Sequence, residues 1–272
     1  MRRATRGCGC AIAVLVVVLG AGGYAGWKYV LPWWRTQPPP ASGGELRIHF
    51  LDVGPINGDS ILIISPTGKS VLIDSGDTGK GKIVLEALKR HGVQQLDYFI
   101  GTHPHPDHLG AADEVMKVVK VLTVIDNGLE PVAPPGLVPQ TQKGIAPGQP
   151  ARKPVAKKQD KSGSITKFYD DFKAAIATAG AQYQKAEPGQ VFDLGGGARL
   201  TILAPSQPYF TREQMKAGGN EANANSIVAR VDYGGFSMLL SGDAEEQTEH
   251  RMLTKDLNLT ATMLKVSHHG SK

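Results

Sequence analysis

Between Gly101 and Gly110 the chain reads Gly101-Thr-His-Pro-His-Pro-Asp-His-Leu-Gly110, which places His103, His105, Asp107 and His108 within six positions. Imidazole and carboxylate donors suit zinc or another divalent first-row ion, and two histidines one residue apart in an extended loop can present both rings to one metal. Pro104 and Pro106 fix their own φ and bias the residues before them toward extended backbone. That stiffening would preorganise the donors and reduce the entropy lost when an ion binds. A histidine-rich loop can also be plain surface, so the chemistry depends on what else the fold delivers to the same place.

Four apolar runs end on a potential ligand or its supporter: Val71-Leu-Ile-Asp74, Tyr98-Phe-Ile-Gly-Thr-His103, Met238-Leu-Leu-Ser-Gly-Asp243 and Met263-Leu-Lys-Val-Ser-His268-His269. In layered α/β proteins, sites form where the carboxyl ends of strands gather on one edge. Taken singly, Asp74 reads as a turn former, Asp243 as a helix N-cap and the His268-His269 pair as a polar chain end. Together they read as a constellation. His49, His91 and His250 lie in no such context and read as structural or surface residues.

The elements that must position these groups follow from periodicity and turn signals. Strands are expected at Leu46 to Val53, Ser60 to Ser65 and Ser70 to Asp74 as a meander, then at Leu96 to Ile100 and Val121 to Ile125. Further strands are expected at Gln190 to Asp193, Ala198 to Leu203, Ser226 to Tyr233, Phe236 to Leu240 and Ala261 to Val266, with Gly234-Gly235 marking a hairpin. Helical spacing marks Lys82 to His91, Ala111 to Val119, Ile165 to Ala179 and Ala244 to Lys255. The fold class is therefore α/β, within a folded region at 45–272. The stretch 129–164 is rich in Pro, Gly, Gln and Lys and lacks apolar periodicity; its Lys153, Lys157, Lys158 and Lys161 could meet an anionic substrate, but a charge run is usually a solvated face.

The 272 residues are 41% hydrophobic and 20% charged with a net charge of +5, which excludes a disordered chain and indicates tolerance of anionic partners without proving any. No charged residue occurs from Gly7 to Trp27, about the 20 residues that a membrane-crossing helix needs. Arg2, Arg3 and Arg6 precede this run, and Trp27, Tyr29, Trp33 and Trp34 follow it, the pattern of an inward basic end and an aromatic belt. The expected organisation is a cytoplasmic basic tail at 1–9, a transmembrane anchor or signal peptide at 10–31, a Pro/Gly linker at 32–44 and a folded domain at 45–272 outside the cytoplasm, periplasmic or extracellular. Cys8 and Cys10 are the only cysteines, so the exported region has no internal disulfide.

His-x-His-x-Asp-His followed by Leu-Gly, with Asp-x-Gly upstream and Gly-Asp downstream, resembles the metallo-β-lactamase fold superfamily. More narrowly, the segments Phe50 to Ile63, Leu72-Ile-Asp-Ser-Gly76, Leu240-Ser-Gly-Asp243 and Val266-Ser-His-His-Gly-Ser271 look like the hydrolase domain of ComEC-type competence proteins. The resemblance implies a four-layer αββα sandwich with a one- or two-metal site. His103 and His105 would hold one ion, Asp107 and His108 the other, and Asp243 would bridge them. His268 or His269 would complete the second pocket, and Asp74 would orient a ligand histidine. The implied cofactor is one or two divalent ions, Zn2+ foremost and Mn2+ as the second choice. The ions would generate a hydroxide near neutral pH, with Asp107 or Asp243 orienting the water.

Three departures accompany the resemblance. No histidine occurs between Leu109 and Gly242, so the first pocket lacks the family's usual third histidine. Asn223, Asn225 and Ser226 fall where the family carries an Asn/Ser segment and could line the site or be turn residues. The turn Val53 to Ser60 is two residues longer than the family's, which bears on whether Asp59 and Ser60 reach the site. The family fold continues past the equivalent of Ser271, marking either a fragment or a sandwich truncated at its C-terminus. The expected reaction is phosphodiester hydrolysis, as a phosphodiesterase or nuclease on nucleic acid or a phosphorylated envelope component. Rival readings are a β-lactam, lactone or ester hydrolase and an inactive membrane-tethered binding protein; the oligomeric state is left open.

Overall fold

The computed structural model describes residues 44–54, 58–131, 162–216, 219–255 and 257–270. The basic tail at 1–9, the apolar run at 10–31, nearly all of the linker and most of the loop at 129–164 lie outside the described residues. Among the described residues no helix is long and apolar enough to cross a membrane.

One sheet contains, in order, β1 (Arg47–Phe50), β2 (Ile61–Ile64), β3 (Ser70–Ile73), β4 (Gln95–Gly101), β5 (Lys120–Asp126) and β6 (Gln182–Lys185). Its first three strands form the expected antiparallel meander, and β3 to β6 run parallel. The second sheet contains β7 (Val191–Gly195), β8 (Ala198–Ala204), β9 (Val228–Tyr233), β10 (Phe236–Leu240) and β11 (Met263–Lys265). It is antiparallel apart from β11, which joins β10 in parallel. The helices are α1 (Gly81–Arg90), α2 (Pro106–Leu109), α3 (Ala112–Met116), α4 (Ser162–Ala179), α5 (Glu221–Ala224) and α6 (Glu246–Leu253).

The two-residue repeat of a strand divides the core into layers. On β2, Ile61 and Ile63 pack with Leu200, Ile202, Val231 and Met238 of the second sheet. Leu62 and Ile64 turn the other way, into a cluster with Val84 and Leu88 of α1, Val115 of α3 and Phe172 of α4. On the far side of the second sheet, Met252 of α6 packs on Leu203 and Val228. The result is a mixed α/β arrangement of two facing sheets with helices outside both.

Elements outside the sequence reading include β6 and α2. Gln182-Tyr-Gln-Lys185 has no apolar pattern, yet it forms β6 because the parallel edge of β5 supplies its hydrogen bonds. The ligand loop is extended at His105 (φ −115°, ψ 149°), and Pro106 then opens the short helix α2. Proline suits a first helical position, where its fixed φ is already helical and its missing N–H costs nothing.

Candidate metal centre

The four ligand-ending runs meet as their strand directions require. Asp74 follows β3, His103 follows β4, Asp243 follows β10, and His268 and His269 follow β11. Backbone hydrogen bonds join their loops: Asp59 N–H to Asp107 O at 3.2 Å, Ser75 N–H to His108 O at 2.7 Å, Gly76 N–H to Asp59 O at 2.8 Å and His268 N–H to Gly242 O at 3.2 Å. A Cβ on Gly110 would come within 2.3 Å of Thr78 N, so the Leu-Gly step is what lets the 76–78 loop close on α2. Among the described residues, the non-glycine residues with positive φ are Asp74, His268 and His269, at 58°, 49° and 53°. Such backbone costs roughly 1–2 kcal/mol for an L residue. All of it falls on site residues, a placement typical of functional sites.

His108 is fully buried, and its Nδ1 lies 2.8 Å from Asp74 Oδ2. Asp74 also accepts the Thr102 backbone N–H and hydroxyl, each at 2.8 Å. The other ring nitrogen, Nε2, lies 3.3 Å from Asp243 Oδ2 and 3.9 Å from Asp107 Oδ2. His269 Nε2 is 3.5 Å from Asp243 Oδ2 and 3.6 Å from Asp107 Oδ2, and its Nδ1 is 3.4 Å from Asp59 Oδ1. The His268 side chain stands farther out, 41% exposed against 19% for that of His269, with Nε2 4.0 Å from Asp243 and 3.5 Å from the Asn223 amide nitrogen. Of the terminal pair, His269 is the one embedded in the cluster.

The His103 and His105 rings meet at Nε2 and Nδ1, 2.9 Å apart. His103 Nδ1 is 3.1 Å from the Thr102 hydroxyl, and His105 Nε2 is 3.2 Å from Asn220 Nδ2. The Asn220 side-chain oxygen already accepts the Ala222 N–H at 2.8 Å, capping α5, so its amide nitrogen faces the imidazole. One assignment satisfies every contact: Asn220 donates to His105, His105 Nδ1–H to His103, His103 Nδ1–H to Thr102, and the Thr102 hydroxyl to Asp74.

Charge separates these groups. Burial lowers the pKa of both His103 and His105, His103 the more strongly, and leaves them neutral. Burial alone would lower His108 as well, but Asp74 and Asp243 outweigh it and raise the ring to about 10. Contacts with Asp107, Asp243 and Asp59 raise His269 to about 11. Burial would raise Asp243, yet the neighbouring His108 and His269 hold it well below the usual carboxylate range.

This donor set fits a divalent cation. Asp107, His108, Asp243 and His269 each offer a ligand atom, all within 4.8 Å of one another. His108 Nε2 and Asp243 Oδ1 are buried without a hydrogen-bond partner, an arrangement a coordinated ion would relieve. The 2.9 Å between the His103 and His105 nitrogens is near the ~3.3 Å that two nitrogens on one tetrahedral zinc span.

The structure therefore brings together His103, His105, Asp107, His108, Asp243 and His269, with Asp74 behind His108 and His268 at the rim. Asp59 reaches the cluster despite the longer turn, and Ser60 donates its hydroxyl to Asp74 O at 3.1 Å. Ser226 Oγ accepts the Asp243 N–H at 3.3 Å and so supports the aspartate from behind. Asn225 does not line the site: it is buried, and its amide is spent on the backbone of Phe210 and Glu221. Sequence reasoning missed Asn220 and Lys265. Asn220 carried only the signal of an N-cap before a short helix, and Lys265 only that of a charged residue in an apolar strand.

Residues 53–197, just over half of the chain, match the family described as Metallo-beta-lactamase superfamily. ComE operon protein 3 of Bacillus subtilis is 28% identical over 254 residues, covering 86% of this chain and 26% of the relative. Recombination protein 2 of Haemophilus influenzae is 26% identical over 231 residues, covering 83% of this chain and 21% of the relative. The chain thus spans about a quarter of the length of these relatives, and the expected kinship with competence-type proteins is borne out. Among solved structures, the subclass B3 metallo-beta-lactamase MEM-A1 from a soil metagenome library aligns at 17% identity with a TM-score of 0.46, covering 86% of this chain and 80% of that one.

Proposed function

Starting from the chain's membership of the metallo-beta-lactamase superfamily, a family of metal-dependent hydrolases, we propose that it hydrolyses phosphodiesters. The observation that carries the metal-dependent reading is the convergence of Asp107, His108, Asp243 and His269 around two buried, partnerless ligand atoms. The phosphodiester reading is supported by likeness to a relative named Recombination protein 2, since recombination acts on nucleic acid.

His108, His269, Asp107 and Asp243 would hold one Zn2+ or Mn2+ ion, and His103 with His105 a second that shares Asp243. Such ions supply Lewis acidity to a water and to a substrate oxygen. The protein's own part is to place and orient. Asp243, almost wholly buried, fixes the spacing of the histidines on both sides. Asp107 is the more open carboxylate, with its side chain 29% exposed. It would orient the water that attacks phosphorus in line with the leaving oxygen; the water's proton passes to solvent and the leaving oxygen takes one from it. Anchoring of the domain outside the cytoplasm by residues 10–31 belongs to the same proposal, and protease accessibility in intact cells checks it.

The test is the full chain, supplied with Zn2+ or Mn2+, on bis-p-nitrophenyl phosphate and on a chromogenic β-lactam. Turnover of the diester alone is the expected result. Preference for the lactam would overturn the phosphodiester reading, and a folded chain that retains no divalent ion would overturn the enzyme reading.

A further inference from the structure

His269 is backed in the same way as His108. Asp74 faces His108 Nδ1 and leaves Nε2 for the centre; Asp59 faces His269 Nδ1 at 3.4 Å and leaves that Nε2 toward Asp107 and Asp243. The two pairs are anchored differently. Asp74 is fixed by Thr102, whereas Asp59 lies beside a buried ammonium, Lys265 Nζ, 2.5 Å from its Oδ2. The lysine side chain is only 9% exposed, and its nitrogen also donates to Gly242 O at 3.1 Å and Val266 O at 3.2 Å. Two of its N–H donors go to these backbone carbonyls, and the Asp59 carboxylate is its ion-pair partner. These partners come from three loops: the one carrying Asp59, the one that continues into Asp243, and the one that continues into His268 and His269.

We infer that Lys265 and Asp59 are positioning residues: Lys265, held by the carbonyls of Gly242 and Val266, fixes Asp59, which holds the His269 ring with Nε2 toward the metal centre. A buried ammonium paired with Asp59 and donating to two carbonyls is engaged within the protein, so its influence passes through what it holds. The backbone gives an independent reason for such a brace. His268 and His269 both occupy left-handed conformations, so the turn that carries them is not one their own preferences would select. A carboxylate behind a ligand imidazole fixes its tautomer and raises its basicity, and loss of such a partner typically costs 10–100-fold in metal affinity.

The inference rests on the metal-centre reading for its affinity arm, so a metal-free measurement accompanies it. Asp59→Asn, Lys265→Met and the double variant are made in the full chain. Ring 15N NMR signals of His269 and His108 are recorded after chelator treatment, and Zn2+ affinity is then measured by chelator competition. Asp59→Asn should shift the His269 ring signals, leave those of His108 in place, and weaken Zn2+ binding by about 10–100-fold. Lys265→Met should act in the same direction, and the double variant should be no weaker than Asp59→Asn, because the lysine acts through the aspartate. Unshifted His269 signals in Asp59→Asn, or effects of the two substitutions that multiply, would overturn the inference. If the wild-type chain binds no Zn2+, the metal reading fails while the ring signals still decide the positioning. If Lys265→Met does not fold, Asp59→Asn decides alone, since asparagine keeps the shape of the side chain.

Discussion

Around His108 and His269 every ring nitrogen faces a carboxylate, whereas around His103 and His105 the nearest partners are a hydroxyl, an amide and each other's ring. The first half of the cluster is charged, with both imidazoles held protonated near neutral pH by their acidic neighbours. The second half is neutral, because burial disfavours the imidazolium and Asp243, 3.8 Å from His103, is the nearest carboxylate opposing it. The comparison teaches which half should hold an ion more tightly. Carboxylate backing strengthens a ligand imidazole, so on the proposed metal-centre reading the His108 and His269 half should be the tight site and the His103 and His105 half the loose one.

The severest way to break this contrast is to remove what the halves share. Asp243 is the carboxylate that contacts His103, His108, His268 and His269 alike. Asp243→Asn should abolish retention of metal by both halves and lower hydrolysis by at least about 10³-fold. Metal analysis of the purified variant checks it, and one equivalent of ion still bound would show that the halves do not depend on a common member.

Next come substitutions that divide the halves. His105→Ala should abolish turnover while the tight ion and the melting temperature stay near wild type. His108→Ala should lose the tight ion and also destabilise the fold by about 3–5 kcal/mol, because it leaves Asp74 buried without its charged partner. Metal stoichiometry and thermal unfolding measured together decide this. Equal destabilisation by both variants would mean that the carboxylate backing does not distinguish the halves.

The same division explains what was legible in the sequence. The ligand-bearing strand ends could be read because β3, β4, β10 and β11 are each followed within a few residues by a polar site side chain, a pattern local to the chain. Asp74 was legible for the same reason. β6 was not, because Gln182-Tyr-Gln-Lys185 is polar and owes its strand to the edge of β5. Pro106 read as an extender because its effect on His105 is local, while its place at the start of α2 depends on the helix that follows. Asn220 lies 115 residues from His105, and Lys265 meets Asp59 across two sheets, so neither partnership leaves a mark within any short window. Asn225 misled because Ser226 beside it supports Asp243 while its own amide closes on Phe210.

A smaller effect sharpens the contrast through protons. Ligand histidines must be deprotonated to bind metal, so an ion entering the tight half must displace the protons of His108 and His269, whose folded pKa values stand at about 10 and about 11. Between pH 6.5 and 9, affinity for the first ion should therefore rise with pH, with about two protons released per ion. The second ion meets rings that are already neutral and should release almost none. Calorimetric titration in buffers of different ionisation enthalpy counts these protons, and equal release in both steps would remove the electrostatic basis of the comparison.

The mildest test tries to make the loose half resemble the tight one. In Asn220→Asp, one carboxylate oxygen can keep the cap on the Ala222 N–H while the other faces His105 Nε2 at the present 3.2 Å. A carboxylate there favours a proton on Nε2, whereas the present amide donates to it. The lone pair of Nδ1 is then freed on the side facing His103, where a metal would take it. Glu245, which already accepts the residue 220 N–H at 2.6 Å, opposes the added charge and limits the gain. The second ion should bind up to about tenfold more tightly, with the first unchanged. A tighter first ion, or a weaker second, would show that the asymmetry between the halves has a source other than the groups behind their imidazoles.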